Sequence, residues 1–226
     1  MISIPNTHMK SSKLYKYFPI LALLLFFSTI TPAHAATIRT APTNGLVGYY
    51  SFDTATVNGT KVRDSSTKKN DIAIAGGVTQ VKGKLNEGLS LNGTTGCVRK
   101  DTTMVATGDY SFSLWYNAKS LATWQILLSQ YETVATNPNI EISIGEEAGE
   151  VQLRVTNTGD TSFRADTPTT ANQWNHVVGV LNGSNIEIYH NGTFAERTAI
   201  TGTLISPTNL NVGCRNYGTG NFQFFN

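Results

Sequence analysis

The sequence predicts an all-β protein, a two-sheet antiparallel sandwich of the jelly-roll type. Three observations predict it. Short runs rich in Val, Ile, Tyr, Phe and Trp recur at close spacing, and Asn-Gly and Gly-Asp pairs punctuate them as turn chemistry. From Leu46 onward, no amphipathic stretch is long enough for a ~10-residue helix. In order, the predicted strands are residues 46–52, Ile72–Ala75, 88–92, Tyr110–Tyr116, 125–129, Ile140–Ile144, 151–155, 174–181, 186–190 and Leu210–Val212.

Two of these runs show the period of two plainly. Phe112, Leu114 and Tyr116 share one face of their strand, and Ile186 and Ile188 share a face opposite Glu187 and Tyr189. Asn182-Gly-Ser-Asn185 then predicts a hairpin joining 174–181 to 186–190, and Asn191-Gly192 turns the chain again into Phe194. His176, between Trp174 and Val178, is expected to be a packed, hydrogen-bonded core residue. Many short strands at regular spacing indicate a sandwich, with no internal repeat and no second domain.

Ahead of this body, residues 1–35 read as an export signal. Lys10, Lys13 and Lys16 form a positive start, Phe18 to Ile30 is almost wholly apolar, and Ala33-His34-Ala35 offers a cleavage site before Ala36. The apolar run is short for a membrane span of ~20 residues, although an uncleaved anchor is the alternative. Residues 36–44 are a polar linker, and 45–226 form one domain of a size that a single sandwich fills. The chain has 17 basic and 15 acidic side chains. Three of the basic ones lie in the leader, so 14 against 15 remain, and no block of like charge stands out. Capture of nucleic acid, or of a membrane after cleavage, has no electrostatic basis. The expected location is secreted or at the cell surface. The two cysteines, Cys97 and Cys214, form one disulfide in an exported chain or remain two buried thiols in strands.

NQWNHVVGVLNGSNIEIYHNGTFAE, Asn172 to Glu196, is similar to the most recognisable stretch of the laminin-G-like jelly-roll family, within the concanavalin A-like lectin/glucanase superfamily. Trp174, His176, Val177, Asn182, Gly183, Tyr189, Asn191 and Gly192 occupy that pattern. GLVGYYSFD, VRDSSTKKNDIAI, GKLNEGLSLNG and YSFSLWYN follow the family's order, with Lys68 and Lys69 where glycines are usual. The resemblance implies the fold strongly and the function weakly, because one fold hosts many activities. It also implies a last strand reading roughly Ile-Asp-Asp-Val-Arg-Ile-Tyr-Asn. The sequence stops at Asn226, where that strand should begin, so a C-terminally truncated domain missing its last strand is expected, with the opening strand's edge unpaired.

The resemblance implies a structural calcium near Asp53, Asp64 and Asn70, since calcium takes six to eight oxygens from loop rims. The alternative is that both aspartates are turn residues bonded to their own backbone. Glu141-Ile-Ser143-Ile-Gly-Glu146 resembles the Glu-Ile-Asp-Ile-x-Glu strand of retaining β-1,3(4)-glucanases, whose two glutamates stand about 5–5.5 Å apart. Ser143 replaces the middle carboxylate. The residues themselves read otherwise: Ile140, Ile142 and Ile144 toward the core, Glu141 and Ser143 toward water. Trp124, Tyr131 and Tyr217, near strand ends and turns, are candidate sugar-stacking aromatics, or else ordinary core. The leading functional expectation is an exported, non-catalytic recognition or adhesion module for carbohydrate or an extracellular surface protein. A jelly-roll glycoside hydrolase using Glu141 and Glu146 is the first alternative, and a structural domain of a surface protein the second.

Overall fold

The computed structural model describes residues 44–226 except 103, 105–107, 123, 132–138, 146–148 and 218–220, and except the side chains of 216, 217, 221 and 222. The predicted leader, linker residues 36–43 and Glu146 therefore lie outside the described residues, as does the Tyr217 side chain.

The described chain contains strands and turns but no helix. In order they are β1 (Lys61–Val62), β2 (Ile72–Ala75), β3 (Val78–Lys82), β4 (Glu87–Leu91), β5 (Cys97–Lys100), β6 (Tyr110–Tyr116), β7 (Gln125–Gln130) and β8 (Ile140–Ile144). Then follow β9 (Glu150–Thr156), β10 (Ser162–Pro168), β11 (Asn175–Asn182), β12 (Asn185–His190), β13 (Thr193–Ala199), β14 (Leu210–Val212), β15 (Cys214–Tyr217) and β16 (Asn221–Phe224). Eight form one sheet in the order β1-β2-β5-β14-β7-β8-β9-β10, and four form a second in the order β13-β12-β11-β6. Two hairpins, β3–β4 and β15–β16, complete an all-β jelly-roll sandwich.

The period of two sets the core. From β8, Ile140, Ile142 and Ile144 are fully buried, as are Val151, Leu153 and Val155 from β9 and Ile186 and Ile188 from β12. Each such side chain contributes about 1.5–3 kcal/mol through burial. The sheets meet closely at Gly179 of β11, where an added Cβ would lie 3.0 Å from Leu153 and 3.2 Å from Ile142. A side chain there would push the layers apart.

Nine of the ten predicted strands form, within a residue or so of their expected ends. The tenth does not: residues 46–52 join no sheet. The Tyr49 amide instead donates to Asp64 Oδ1 at 2.8 Å, and the Tyr49 carbonyl accepts from the Ser65 amide at 2.9 Å. A side-chain carboxylate replaces a neighbouring strand as the acceptor. Strands that the pattern missed include β10 and β13, the outer members of their sheets, and β3 of a peripheral hairpin. Their exposed positions mix Thr79, Gln80, Lys82, Ser162, Arg164 and Arg197 with Val81, Phe194 and Ala195, so no apolar alternation marks one face.

Candidate binding face

Cys97 and Cys214 form a disulfide with Cα atoms 5.3 Å apart, tying β5 to β15 across 117 residues. It anchors the β15–β16 hairpin against the outer side of the eight-stranded sheet, where Ser129 Oγ donates to the Cys214 carbonyl at 3.0 Å. This hairpin overturns the expectation that Glu141 and Ser143 face water. Both are fully buried. Glu141 Oε2 accepts from Arg215 Nη1 and from the Tyr131 hydroxyl, each at 3.0 Å, while Oε1 accepts from Ser143 at 3.1 Å. A carboxylate held this way has no open side for a glycosidic carbon.

The aromatic expectations fare similarly. Tyr131 is fully buried, and burial first and the Glu141 charge second raise its phenol above the ordinary value. Trp124 is partly buried with φ of +64°, a region bulky residues seldom enter. The guanidinium groups of Arg215 and Arg154 lie over its ring at 5.4 and 5.9 Å, so the π-face is already engaged.

At the expected calcium position, Asp53, Asp64 and Asn70 each make hydrogen bonds within the protein. Asp64 Oδ1 accepts the amides of Tyr49 and Ser66, and Oδ2 accepts the Ser66 hydroxyl and the Asn70 amide, at 2.6–2.8 Å. Burial pushes its carboxyl upward, but these hydrogen bonds, led by Ser66, outweigh it and hold the group below 3.8. The Asn70 side-chain amide donates to the Val47 carbonyl, and Asp53 Oδ1 accepts the Glu87 amide. Among the described residues, no group of three His, Cys, Asp or Glu is placed to hold a metal.

The residues that remain open lie on the outer face of the four-stranded sheet. Because β6 buries Phe112, Leu114 and Tyr116 toward the core, it turns Ser111, Ser113 and Trp115 outward. Likewise β11 presents His176, Val178 and Val180, β12 presents Glu187 and Tyr189, and β13 presents Phe194 and Arg197. Ser113, Val178, Tyr189 and Phe194 are register partners and make one row across all four strands, about 14 Å long at ordinary strand spacing. Trp115 and His176 pair in the adjacent row with ring centroids 4.8 Å apart. His176 is therefore hydrogen-bonded, to Ser113 Oγ at 2.8 Å, but on the open face rather than in the core. Burial lowers its imidazole below 6.5, so it stacks as a neutral ring.

Exposure singles out Trp115 and Phe194, which show 44% and 50% of their surface. Lys84 Nζ sits 5.0 Å from the Trp115 ring centre, on a turn whose Leu85 is also exposed. Tyr189 stands edge-on to Phe194 at 5.5 Å. Its hydroxyl donates to Glu187, which Arg197 also holds through two nitrogens at 2.7 and 2.9 Å. The face thus offers flat rings fixed by neighbours, with polar groups between them. The Ser113–His176 contact has the reach of a nucleophile–base pair. Among the described residues, the His176 imidazole meets Ser113 Oγ, and its backbone amide donates to Asn191 Oδ1. Flat rings with hydrogen-bonding groups between them suit binding. The signal was present in the sequence: a Trp on the Ser111/Ser113 side of β6 breaks the polar alternation of that face.

A family model described as the concanavalin A-like lectin/glucanases superfamily matches residues 91–226, more than half of the chain. The chain belongs to that superfamily. No curated protein matches it. Among solved structures, this superfamily member is similar to domain 4 of AbnA, an extracellular arabinanase of Geobacillus stearothermophilus solved with arabinotriose. The TM-score is 0.61 at 20% identity, over 80% of this chain and 88% of that one. It is also similar to the binding domain of Paraclostridial Mosquitocidal Protein 1, with a TM-score of 0.59 at 16% identity over 75% of this chain, spanning only 46% of the toxin domain. A third is the binding domain of botulinum neurotoxin DC, solved with SialylT, with a TM-score of 0.53 at 13% identity over 67% of this chain and 40% of that one. At these identities the likeness is one of fold.

Proposed function

We propose that this superfamily member is an exported, non-catalytic recognition module that binds carbohydrate chains through the open face of its four-stranded sheet. The observation that carries the reading is the pair of half-exposed rings, Trp115 and Phe194, each backed by another ring and flanked by hydrogen-bonding groups. The C–H face of a sugar ring packs on such a π-face, while hydroxyls reach Ser113, Lys84 and Arg197. Similar domains solved with arabinotriose and SialylT support a glycan ligand, and the leader pattern supports export. Against the hydrolase alternative stands the burial of Glu141, whose carboxylate Arg215 and Tyr131 hold.

A glycan array together with polysaccharide pull-down tests the reading. Selective binding that Trp115→Ala and Phe194→Ala abolish, while both variants unfold like the parent, supports it. Binding that ignores both substitutions removes the open face as the site.

A further inference from the structure

The open face is uneven across its width. On its two outer strands the outward side chains stand in solvent: Ser111, Ser113 and Trp115 of β6, Phe194 and Arg197 of β13. On the two inner strands they lie lower. His176, Val178 and Val180 of β11 and Tyr189 of β12 are half-buried, and Glu187 is buried. The face thus has a shallow middle, with one exposed ring on each margin.

Register fixes how far apart those rings stand. Phe194 shares a row with Tyr189, Val178 and Ser113, so it lies three strand spacings from β6. Trp115 lies two residues beyond Ser113 along β6. Three spacings make about 14 Å and two residues about 7 Å, which puts the Cα atoms of Trp115 and Phe194 about 16 Å apart. A six-membered ring with its linking oxygen, built from bonds of about 1.5 Å, is about 5 Å long, so about four linked units reach from one ring to the other. A single sugar touches one ring only.

The ground between the rings suits the middle of such a chain. Val178 and the Tyr189 ring offer an apolar floor for C–H groups. Ser113 Oγ, 2.8 Å from His176 Nε2, keeps hydrogen-bonding capacity beyond that one contact. Lys84 is exposed, with Nζ 5.0 Å from the Trp115 ring centre, and its flexible stem lets the ammonium move from the ring to a sugar hydroxyl. Contact with the second ring becomes intramolecular once the first is made, and it adds affinity only when the chain is long enough to span both.

We propose that this face selects carbohydrate by length: its ligand is a linear, extended glycan run of about four or more units, laid across the strands with one unit on Trp115 and another on Phe194. The proposal rests on the carbohydrate reading above and adds the class of carbohydrate, polysaccharide runs rather than single terminal sugars.

Calorimetric titration of the protein with cello-, xylo-, manno-, laminari- and arabino-oligosaccharides of one to six units tests it, together with fragments of any polysaccharide retained in the pull-down. In at least one series the affinity is expected to rise about tenfold or more between two and four units and then level off. Trp115→Ala and Phe194→Ala should each flatten that rise, leaving the tetramer little better than the dimer. Trp115→Tyr and Phe194→Tyr keep a ring at each place and should keep the rise. Affinity that is the same at every length, or a rise that survives loss of either ring, overturns the proposal and leaves the carbohydrate reading standing. So does full affinity for a single sugar that needs these rings. Silence in every series, with no polysaccharide retained, removes the carbohydrate reading with it.

Discussion

Arg215 Nη1 and Glu141 Oε2 lie 3.0 Å apart with their side chains 5% and 0% exposed, and this one pair joins the β15–β16 hairpin to β8 beneath it. Breaking a buried pair from one side leaves an uncompensated charge. Glu141→Gln should therefore cost about 3–5 kcal/mol in urea unfolding. Replacing both partners, as Glu141→Leu with Arg215→Met, should cost clearly less than Glu141→Gln alone. Equal or larger loss in the double variant would show that the pair is not what Glu141→Gln disrupts.

Asp64 makes a pH-dependent contribution. Its native carboxyl titrates below 3.8, so the unfolded chain binds the proton more readily. The stability it supplies is complete above about pH 5 and drains as pH falls through 3.8 toward the lower native value. Asp64→Asn turns an N–H group toward donors and should cost about 1–3 kcal/mol near neutrality. Thermal melts from pH 7 to pH 3 check both points: the variant's melting temperature should start lower and fall less steeply.

The Cys97–Cys214 bridge closes a long loop, and its removal should cost about 2–5 kcal/mol. Calorimetry of the Cys97→Ala/Cys214→Ala variant, beside the parent with and without dithiothreitol, measures this. If the bridge mainly holds the hairpin down, hydrogen exchange in the variant should rise first at Ser129 and Glu141. Uniform exchange over the whole domain would place its effect on the unfolded chain instead.

Trp115→Ala and Phe194→Ala are expected to leave stability within about 1 kcal/mol of the parent, because both rings are half in solvent. Any polysaccharide affinity should fall about tenfold or more in each. Melting and affinity electrophoresis on the same preparations separate the two effects. A large drop in melting temperature would make these rings structural.

Most of the fold was legible in the chain. The isoleucines of β8, the Asn182–Asn185 turn and the alternation of β6 all stand where their periodicity puts them. The failures are specific. Residues 46–52 have strand composition, yet Asp64 captures the Tyr49 amide from 15 residues away. Glu141 and Ser143 alternate correctly, but alternation tells only which side of a sheet a residue takes, and here both sides are covered. Trp124, near a turn, is the tryptophan that sequence position marks as a candidate for sugar stacking. It proves to be covered by two arginines, while Trp115, within a strand, is open.

By itself, then, the sequence determined nine of the strands and which of their residues share a face, because pleat and turn chemistry are local. Tertiary structure alone decided which polar faces became interior: the partners of Glu141 and Asp64, the cover over Trp124, and the exposure of Trp115. Those outcomes depend on contacts between residues far apart in the chain, such as Arg215 meeting Glu141 from 74 positions away. No local period encodes which loop or hairpin will lie across a finished sheet.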